Sequence, residues 1–131
     1  MTTGKNNAII PRFEGSFFSF RGHRVMVDAD LAGLYGVETR VLNQAVKRNI
    51  RRFPEHFMFE LAPEEKKELV TNCDRFLNLR HSTASPKVFT ERGVLMLVNV
   101  LKSDRAVAMS IQVIEAFVRL RAAILIAGKK S

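Results

Sequence analysis

The chain has 131 residues, of which 47% are hydrophobic and 26% are charged. This length supplies one domain with a hydrophobic core and is too short for two ordinary domains. The composition is that of a globular protein and excludes an intrinsically disordered chain. The formal net charge is +8 at pH 7, which favours a polyanionic partner such as nucleic acid.

Three features restrict the compartment and the chemistry. Cys73 is the only cysteine, so the sequence contains neither a disulfide framework nor a thiolate metal site. The most hydrophobic segment, residues 107–127, is interrupted by Glu115, Arg119 and Arg121 and is not predicted to cross a membrane. The N-terminus has no apolar run long enough for a signal peptide. We therefore expect a cytoplasmic protein, and the net charge favours association with the nucleoid.

The N-terminal part is predicted to contain a leader and a hairpin. Residues 1–15 are poor in apolar side chains and are predicted to be a flexible leader, followed by a single domain over residues 16–127. Two β-prone runs, S-F-F-S-F and H-R-V-M-V, flank Arg21 and Gly22. This pattern predicts a β-hairpin over residues 16–27.

Two helices are predicted to follow the hairpin. Asp28 is expected to cap the first, and Gly36 to end it in the left-handed conformation that glycine adopts readily. The second is predicted to begin at a Thr39 cap and to end before Pro54. One of its faces is apolar and is expected to meet the core: Val41, Leu42, Ala45 and Val46. The opposite face is polar and basic: Arg40, Asn43, Gln44, Lys47 and Arg51.

The second helix carries the strongest functional signal. No Asp or Glu occurs between Thr39 and Pro54, although a solvated helix face usually includes acids that pair with bases at i, i+4. Two short helices joined through a glycine, the second strongly basic, are typical of a helix-turn-helix that reads the DNA major groove. The predicted DNA-binding residues all lie in this segment: Thr39, Arg40, Asn43, Gln44, Lys47, Arg48, Arg51 and Arg52.

Position along this helix predicts two kinds of DNA contact. The N-terminal turns, with Arg40, Asn43 and Gln44, are expected to contact base edges, and the later cations to contact phosphates. Arg21 and Arg24 on the hairpin are an alternative place for DNA contacts. A basic face that is merely solvated is the other interpretation of the pattern.

The middle of the chain adds one strand, one helix and a loop to the prediction. The run F-M-F-E-L, residues 57–61, alternates as a half-buried strand, and Pro63 opens a helix. Residues 80–86 are predicted to form a loop. The expected fold class is α+β, mostly α-helical, with a helix-turn-helix, a small β-hairpin and a long C-terminal helix.

Two helices are predicted at the C-terminal end. Thr90 is expected to cap one through Leu101, and Ser103 with Asp104 to cap the last. The first apolar stripe of the last helix is Val107, Ile111, Ile114, Val118 and Leu125. The second is Met109, Val113, Phe117, Leu120 and Ile124. Because a helix that is apolar on two faces needs partners on both, we expect either a homodimer through the second stripe or a core helix wrapped by its own chain.

Several segments in order resemble one family. The segment D-A-D-L-A-G-L-Y-G-V-E-T-R-V-L-N-Q-A-V-K-R-N, followed by N-C-D-R-F, L-R-H-S-T, F-T-E-R-G-V-L-M-L and S-D-R-A-V, is similar to the phage Orf-six N-terminal domain. That domain belongs with the KilA-N group of phage and large-virus DNA-binding domains. The resemblance covers roughly residues 16–121. It implies a DNA-binding module of phage antirepressors and prophage regulators, with the basic helix as the DNA-reading unit.

The sequence offers little for catalysis. His23, His56 and His81 lie in unrelated contexts without H-E-x-x-H spacing, and there is no G-x-S-x-G or Walker A motif. We therefore expect no enzyme activity, no metal and no cofactor. Double-stranded DNA is the expected partner, and RNA binding is disfavoured because no RNP-like aromatic pattern occurs. The alternative is an antirepressor-type module that binds another protein without contacting DNA.

Overall fold

The computed structural model describes residues 13–130, with side chains for Phe13 and for residues 15–123. The strands of this range are β1 Phe17–Phe20, β2 His23–Val27, β3 Met58–Glu60 and β4 Lys87–Phe89. The α-helices are α1 Asp28–Tyr35, α2 Thr39–Arg48, α3 Pro63–Asn72, α4 Glu91–Leu101 and α5 Asp104–Lys130. Short 3-10 helices occupy Glu14–Ser16, Ile50–Arg52 and Asp74–Leu79. The predicted class, mostly helical α+β with a small antiparallel sheet and a long C-terminal helix, is confirmed.

The predicted β-hairpin is confirmed. Strands β1 and β2 pair antiparallel, with Phe17 opposite Met26. The two turn residues both have positive φ, 54° at Arg21 and 77° at Gly22. Two-residue turns of this handedness match the twist of the strands they join, which explains why the Arg-Gly pair closes the hairpin.

The sheet has the strand order β1-β2-β4-β3, with every neighbouring pair antiparallel. Strand β4 was not predicted, since three residues are too few to show a period. It nevertheless holds the sheet together, because Phe89 pairs with Met26 on one side and with Met58 on the other. A central strand of this kind is recognisable only from its partners.

Both faces of the sheet are covered. Met58 and Phe89 belong to a core cluster with α1, α2, α4 and α5, whereas Phe59 and Val88 belong to a second cluster with α3 and Asp74–Leu79. The expectation of a half-buried β3 was therefore wrong, since both Met58 and Phe59 are buried. A strand that is covered on both faces has no solvent side and shows no alternation.

The starts of the helices agree with the prediction at three places and differ at two. The Thr90 hydroxyl accepts a hydrogen bond from the Gly93 N–H at 3.3 Å, and the Ser103 hydroxyl accepts one from Ala106 at 3.0 Å. Pro63 opens α3 as predicted. Asp28 and Thr39, however, are the first residues of their helices and not the caps, which are Val27 and Glu38 without side-chain bonds. The residues that cap these two helices contribute only extended backbone.

Helix α5 is a core helix, and its two apolar stripes have different environments. Val113 and Phe117 of the second stripe are buried against the rest of the domain. The Tyr35 hydroxyl also meets the Ser110 hydroxyl at 2.8 Å between buried oxygens. Val113 and Phe117 are therefore covered within the domain and cannot take part in the dimer contact that the sequence assigned to the second stripe. Side chains of Ile124 and Leu125 lie outside the described residues.

The N-terminal boundary differs from the prediction. Phe13, assigned to the leader by sequence, is 2% exposed and belongs to the main core cluster. The core therefore extends N-terminal to the predicted domain boundary at residue 16. Residues 1–12 of the predicted leader lie outside the described residues.

Gly36 should be hard to replace. Its φ is +73°, as the sequence predicted, and a Cβ at this position would lie 3.1 Å from Nε of Arg105, which donates to the Leu34 carbonyl. We expect Gly36→Val to lower the free energy of unfolding by about 2 kcal/mol, measured by denaturant titration. Gly36→Asn should cost less, because Asn tolerates the left-handed region. Equal stability of the Val variant and wild type would contradict this account.

Candidate nucleic-acid interface

Helix α2 is fixed to the domain through its turn and its apolar face. The chain leaves α1 through Gly36, and the Val37 N–H donates back to the Ala32 carbonyl at 3.0 Å. Leu42 and Val46 are fully buried in the main core cluster. Val41, which the sequence assigned to the core face, is 37% exposed. The core-facing side of α2 is therefore narrower than predicted, and more of the helix faces solvent.

The basic segment is not one continuous helix. Helix α2 ends at Arg48, and a separate 3-10 turn, Ile50–Arg52, follows it. The Asn49 side chain donates to the Ala45 carbonyl at 2.8 Å at this junction. The expectation that the helix continues to Pro54 was wrong, because Asn49 leaves the helical conformation, with φ −123° and ψ 33°. The last two arginines of the segment thus belong to the turn.

The outward face of this segment is cationic and unpaired. Its exposed polar and basic residues are Arg40, Gln44, Lys47, Arg48, Arg51 and Arg52. Among the described side chains, none forms a hydrogen bond or ion pair with Gln44 or with the last four cations. Arg40 alone has an acidic neighbour, Glu38 at 3.8 Å, and both side chains are more than 70% exposed. So exposed a pair contributes little and leaves Arg40 available.

Three arginines elsewhere in the domain, Arg21, Arg75 and Arg121, are paired with acids. Arg21 makes a bidentate contact with the Glu65 carboxylate at 2.9 and 3.0 Å, which lowers the pKa of Glu65. Arg75 pairs in the same way with Asp30 at 2.9 and 3.2 Å. Of the two hairpin arginines considered as alternative DNA contacts, Arg21 is therefore engaged within the domain. Four unpaired cations, Lys47, Arg48, Arg51 and Arg52, thus lie within six consecutive residues at the end of α2 and in the turn after it.

Asn43 does not belong to the exposed face. Its Nδ2 donates to the buried Asp28 carboxylate at 2.8 Å, and its Oδ1 is buried. The same carboxylate accepts from the Ala29 and Lys87 N–H groups at 2.7 and 3.2 Å. The expectation that Asn43 contacts a base edge was wrong, because its amide bonds the Asp28 carboxylate, which connects α2, α1 and β4. Thr39 is half-buried and makes no cap bond.

Replacing Asn43 should affect folding before binding. Burial raises the pKa of Asp28, and hydrogen bonds from Asn43, Lys87 and Ala29 oppose that rise. A carboxyl with a raised pKa binds more protons when folded, so stability falls as pH rises through the folded pKa. Asn43→Ala removes a donor to the charged form, and we expect a loss of about 2 kcal/mol at pH 7 that shrinks towards acidic pH. Denaturant titrations across pH, with Gln44→Ala as a nearly neutral control, would detect this; a pH-independent loss would contradict it.

Other site classes find no support in the described residues. No group of three or more His, Cys, Asp or Glu side chains is placed to hold a metal ion in this part of the chain. Within the same residues, no helix has both the length and the apolar character needed to cross a membrane. Cys73 is a half-buried free thiol. The chemically distinctive feature of these residues is the exposed basic face formed by α2 and the Ile50–Arg52 turn.

The structure holds a small antiparallel sheet and a basic second helix that follows a glycine turn. The chain belongs to the ORF6N domain family, whose sequence model matches residues 15–100. This is a phage-associated regulatory family, as the resemblance implied. No curated protein and no solved structure matched the chain. The match includes α1, α2 and the sheet and ends within α4.

Proposed function

We propose that the domain binds duplex DNA through α2 and the Ile50–Arg52 turn, as a transcriptional regulator of phage or prophage origin in the bacterial cytoplasm. The observation that supports the proposal is the segregation of charge. Lys47, Arg48, Arg51 and Arg52 are exposed and unpaired among the described side chains, whereas Arg21 and Arg75 each have a carboxylate partner. Cations placed together without acids repel each other, and a polyanion relieves that repulsion.

The arrangement is consistent with two kinds of contact, in which some side chains bond base edges and others bond the phosphates that position the helix. The exposed Gln44 lies in the middle of α2, and an amide of this type can bond an adenine edge bidentately. Lys47 and Arg48 lie at the end of the helix, and Arg51 and Arg52 lie on the turn beyond it, where side chains meet backbone phosphates. Buried Leu42 and Val46 fix the orientation of the helix. Such a rigid helix loses little entropy on binding.

Fluorescence anisotropy of a labelled random-sequence duplex at several salt concentrations tests the proposal. Four phosphate contacts predict that log K falls with log salt at a slope of about −4. If the anisotropy of the duplex does not rise on addition of protein at moderate salt, DNA binding is refuted. That result would favour the alternative, a protein-interaction module of the antirepressor type. Plasmid DNA incubated with the protein and Mg²⁺ should remain intact, since we propose binding without catalysis.

We also propose a homodimer through the first apolar stripe of α5. Its members Val107, Ile111 and Val118 are 37%, 52% and 43% exposed, and Ile114 is half-buried. The intervals between these four residues read the same in both directions along the helix. An antiparallel second copy would therefore set Val107 against Val118 of the partner subunit, as an isologous interface requires. A two-fold dimer also suits a palindromic operator.

Ile111→Glu should abolish that dimer, because it places a charge at the centre of the apolar stripe. Sedimentation velocity at micromolar concentration should show a dimer for wild type and a monomer for the variant. Leu77→Glu, at another exposed apolar residue on Asp74–Leu79, is the matched control and should remain dimeric. A wild-type monomer, both alone and on DNA, would exclude the dimer.

A further inference from the structure

A cleft of about 870 Å³ lies between the β1–β2 hairpin, the start of α4 and the middle of α5. Its polar lining includes Arg24 from β2, Arg92 from α4, and the imidazoles of His23 and His56. Neither arginine has a hydrogen bond or ion pair in the part of the chain that the structure describes. They are 68 residues apart in sequence, so no local motif joins them.

The cleft carries an excess of positive charge. Among the described residues that line the cleft, Glu91 is the only carboxylate, and it is bonded to Arg121. Three arginines against one glutamate leave a formal charge of +2 at neutral pH, before any contribution from the imidazoles. Arg24 is half-buried, which reduces the screening of its charge by water. An anion is therefore the ligand class that the lining favours.

Rigid elements form the walls of the cleft. Phe117 and Leu120 of α5 supply an apolar part of the lining, and Phe117 is buried in the core. The Thr90 hydroxyl donates to the His56 carbonyl at 2.8 Å, which fixes the loop before β3 against the start of α4. Arg24 stands on a strand paired with β1. Ligand sites are typically preformed on such elements.

The cleft lies close to the proposed DNA-binding segment along the chain. His56 follows Arg52 by four residues, which limits the separation of their Cα atoms to about 15 Å. Between them, the Phe53 ring packs on the Phe89 ring at 6.0 Å between centroids, next to Thr90 at the start of α4. One turn of duplex DNA spans about 34 Å, so a duplex held at Arg52 extends past this distance.

We propose that this cleft binds a phosphate group through Arg24 and Arg92, and that the phosphate belongs to the backbone of the duplex that α2 contacts. The inference rests on the proposed function and extends its contact surface. Guanidinium groups match phosphate geometry with paired N–H donors. Because the contact is to the backbone, it increases affinity for every sequence and adds to the salt dependence.

The test compares two double variants that remove the same charge. Arg24→Gln with Arg92→Gln changes the cleft, and Lys67→Gln with Arg80→Gln changes two exposed cations elsewhere. The cleft variant should bind random duplex roughly tenfold or more weakly at 0.15 M salt, with a salt slope flattened by about two, and the control should change far less. Thermal unfolding midpoints close to wild type would verify that both variants fold.

A second arm separates the cleft from the duplex. Pyrophosphate is titrated while the NMR signals of the His23 and His56 imidazoles are followed, and these signals should shift in wild type but not in the cleft variant. A shift that the variant loses, combined with duplex binding equal to the control, would assign the site to a small phosphorylated ligand and overturn the DNA contact. Equal duplex binding with no such shift would overturn the site altogether.

The outcomes also distinguish this inference from the proposed function. If Arg51→Ala and Arg52→Ala weaken duplex binding while the cleft variant matches the control, DNA binding by α2 stands and the duplex contact of the cleft is wrong. If wild type binds no duplex, the proposed function and the DNA contact both fail, and the pyrophosphate arm alone decides whether the cleft binds phosphate.

Discussion

Alanine in place of Gly93 should lower the free energy of unfolding by about 3 kcal/mol or more. A Cβ at this position would lie 2.0 Å from the Phe57 carbonyl oxygen. Because the oxygen is a backbone atom and the Cβ is attached directly to the backbone, rotating a side chain cannot relieve this contact. That oxygen also accepts hydrogen bonds from the Thr90 N–H at 3.0 Å and the Thr90 hydroxyl at 3.2 Å. The methyl group would force the start of α4 away from β3. We expect a fall of roughly 10 °C or more in the melting temperature.

Gly33→Ala is the matched control for that experiment. Gly33 lies inside α1 and is exposed, and a Cβ added there would meet no atom from outside its own helix within 4 Å. Because alanine is the better helix former, this variant should be more stable than wild type by about 0.5–1 kcal/mol. Both variants add one methyl group, so a similar loss in both would show that the Phe57 contact is not the cause.

Substitutions on α2 and on its following turn should affect DNA binding in two different ways. Arg51→Ala and Arg52→Ala should each weaken all duplexes alike and flatten the salt slope by about one. Gln44→Ala should cost about 1–3 kcal/mol on the preferred site and relax sequence preference. Binding isotherms at several salt concentrations, on a site selected from a random duplex pool and on its scrambled version, measure both effects.

Lys67→Ala is the control for the loss of one exposed charge, since Lys67 lies on α3 outside the basic segment. It should leave the salt slope nearly unchanged. If Arg51→Ala altered specificity while Gln44→Ala only lowered general affinity, α2 would enter the groove in the opposite direction. If neither substitution mattered, α2 would not be the DNA-binding element.

The position of the candidate site in the chain could be predicted from the sequence, but only some of the residues that form it could be. An acid-free basic segment from residue 39 to residue 54 is visible in the sequence, and it forms the unpaired cationic surface. Asn43 was assigned to the same surface because helical spacing places it on one face with Arg40, three residues before it, and Lys47, four residues after it. Its partner Asp28 lies 15 residues away, and the hydrogen bond that removes Asn43 from the surface follows from how α1 packs on α2.

The sequence also did not reveal which arginines form ion pairs with acids that are distant in the chain. Arg21 and Arg24 are neighbours in the hairpin and look equivalent in sequence, yet Arg21 is bonded to Glu65, 44 residues away, while Arg24 lines the cleft. Both outcomes depend on which element lies across from the side chain. A single sequence carries no direct record of such distant neighbours.

The sequence by itself determined the features that depend on interactions within about one helical turn. These include the Arg21-Gly22 hairpin turn, the positive φ of Gly36, the caps at Thr90 and Ser103, and the segregation of basic residues. Only the tertiary structure decided where α2 ends, that β4 exists, and which stripe of α5 is buried. The physical reason is that burial of an apolar face is a contact between elements distant in the chain. A helix with two apolar faces satisfies its local preferences equally well with either one turned towards the core.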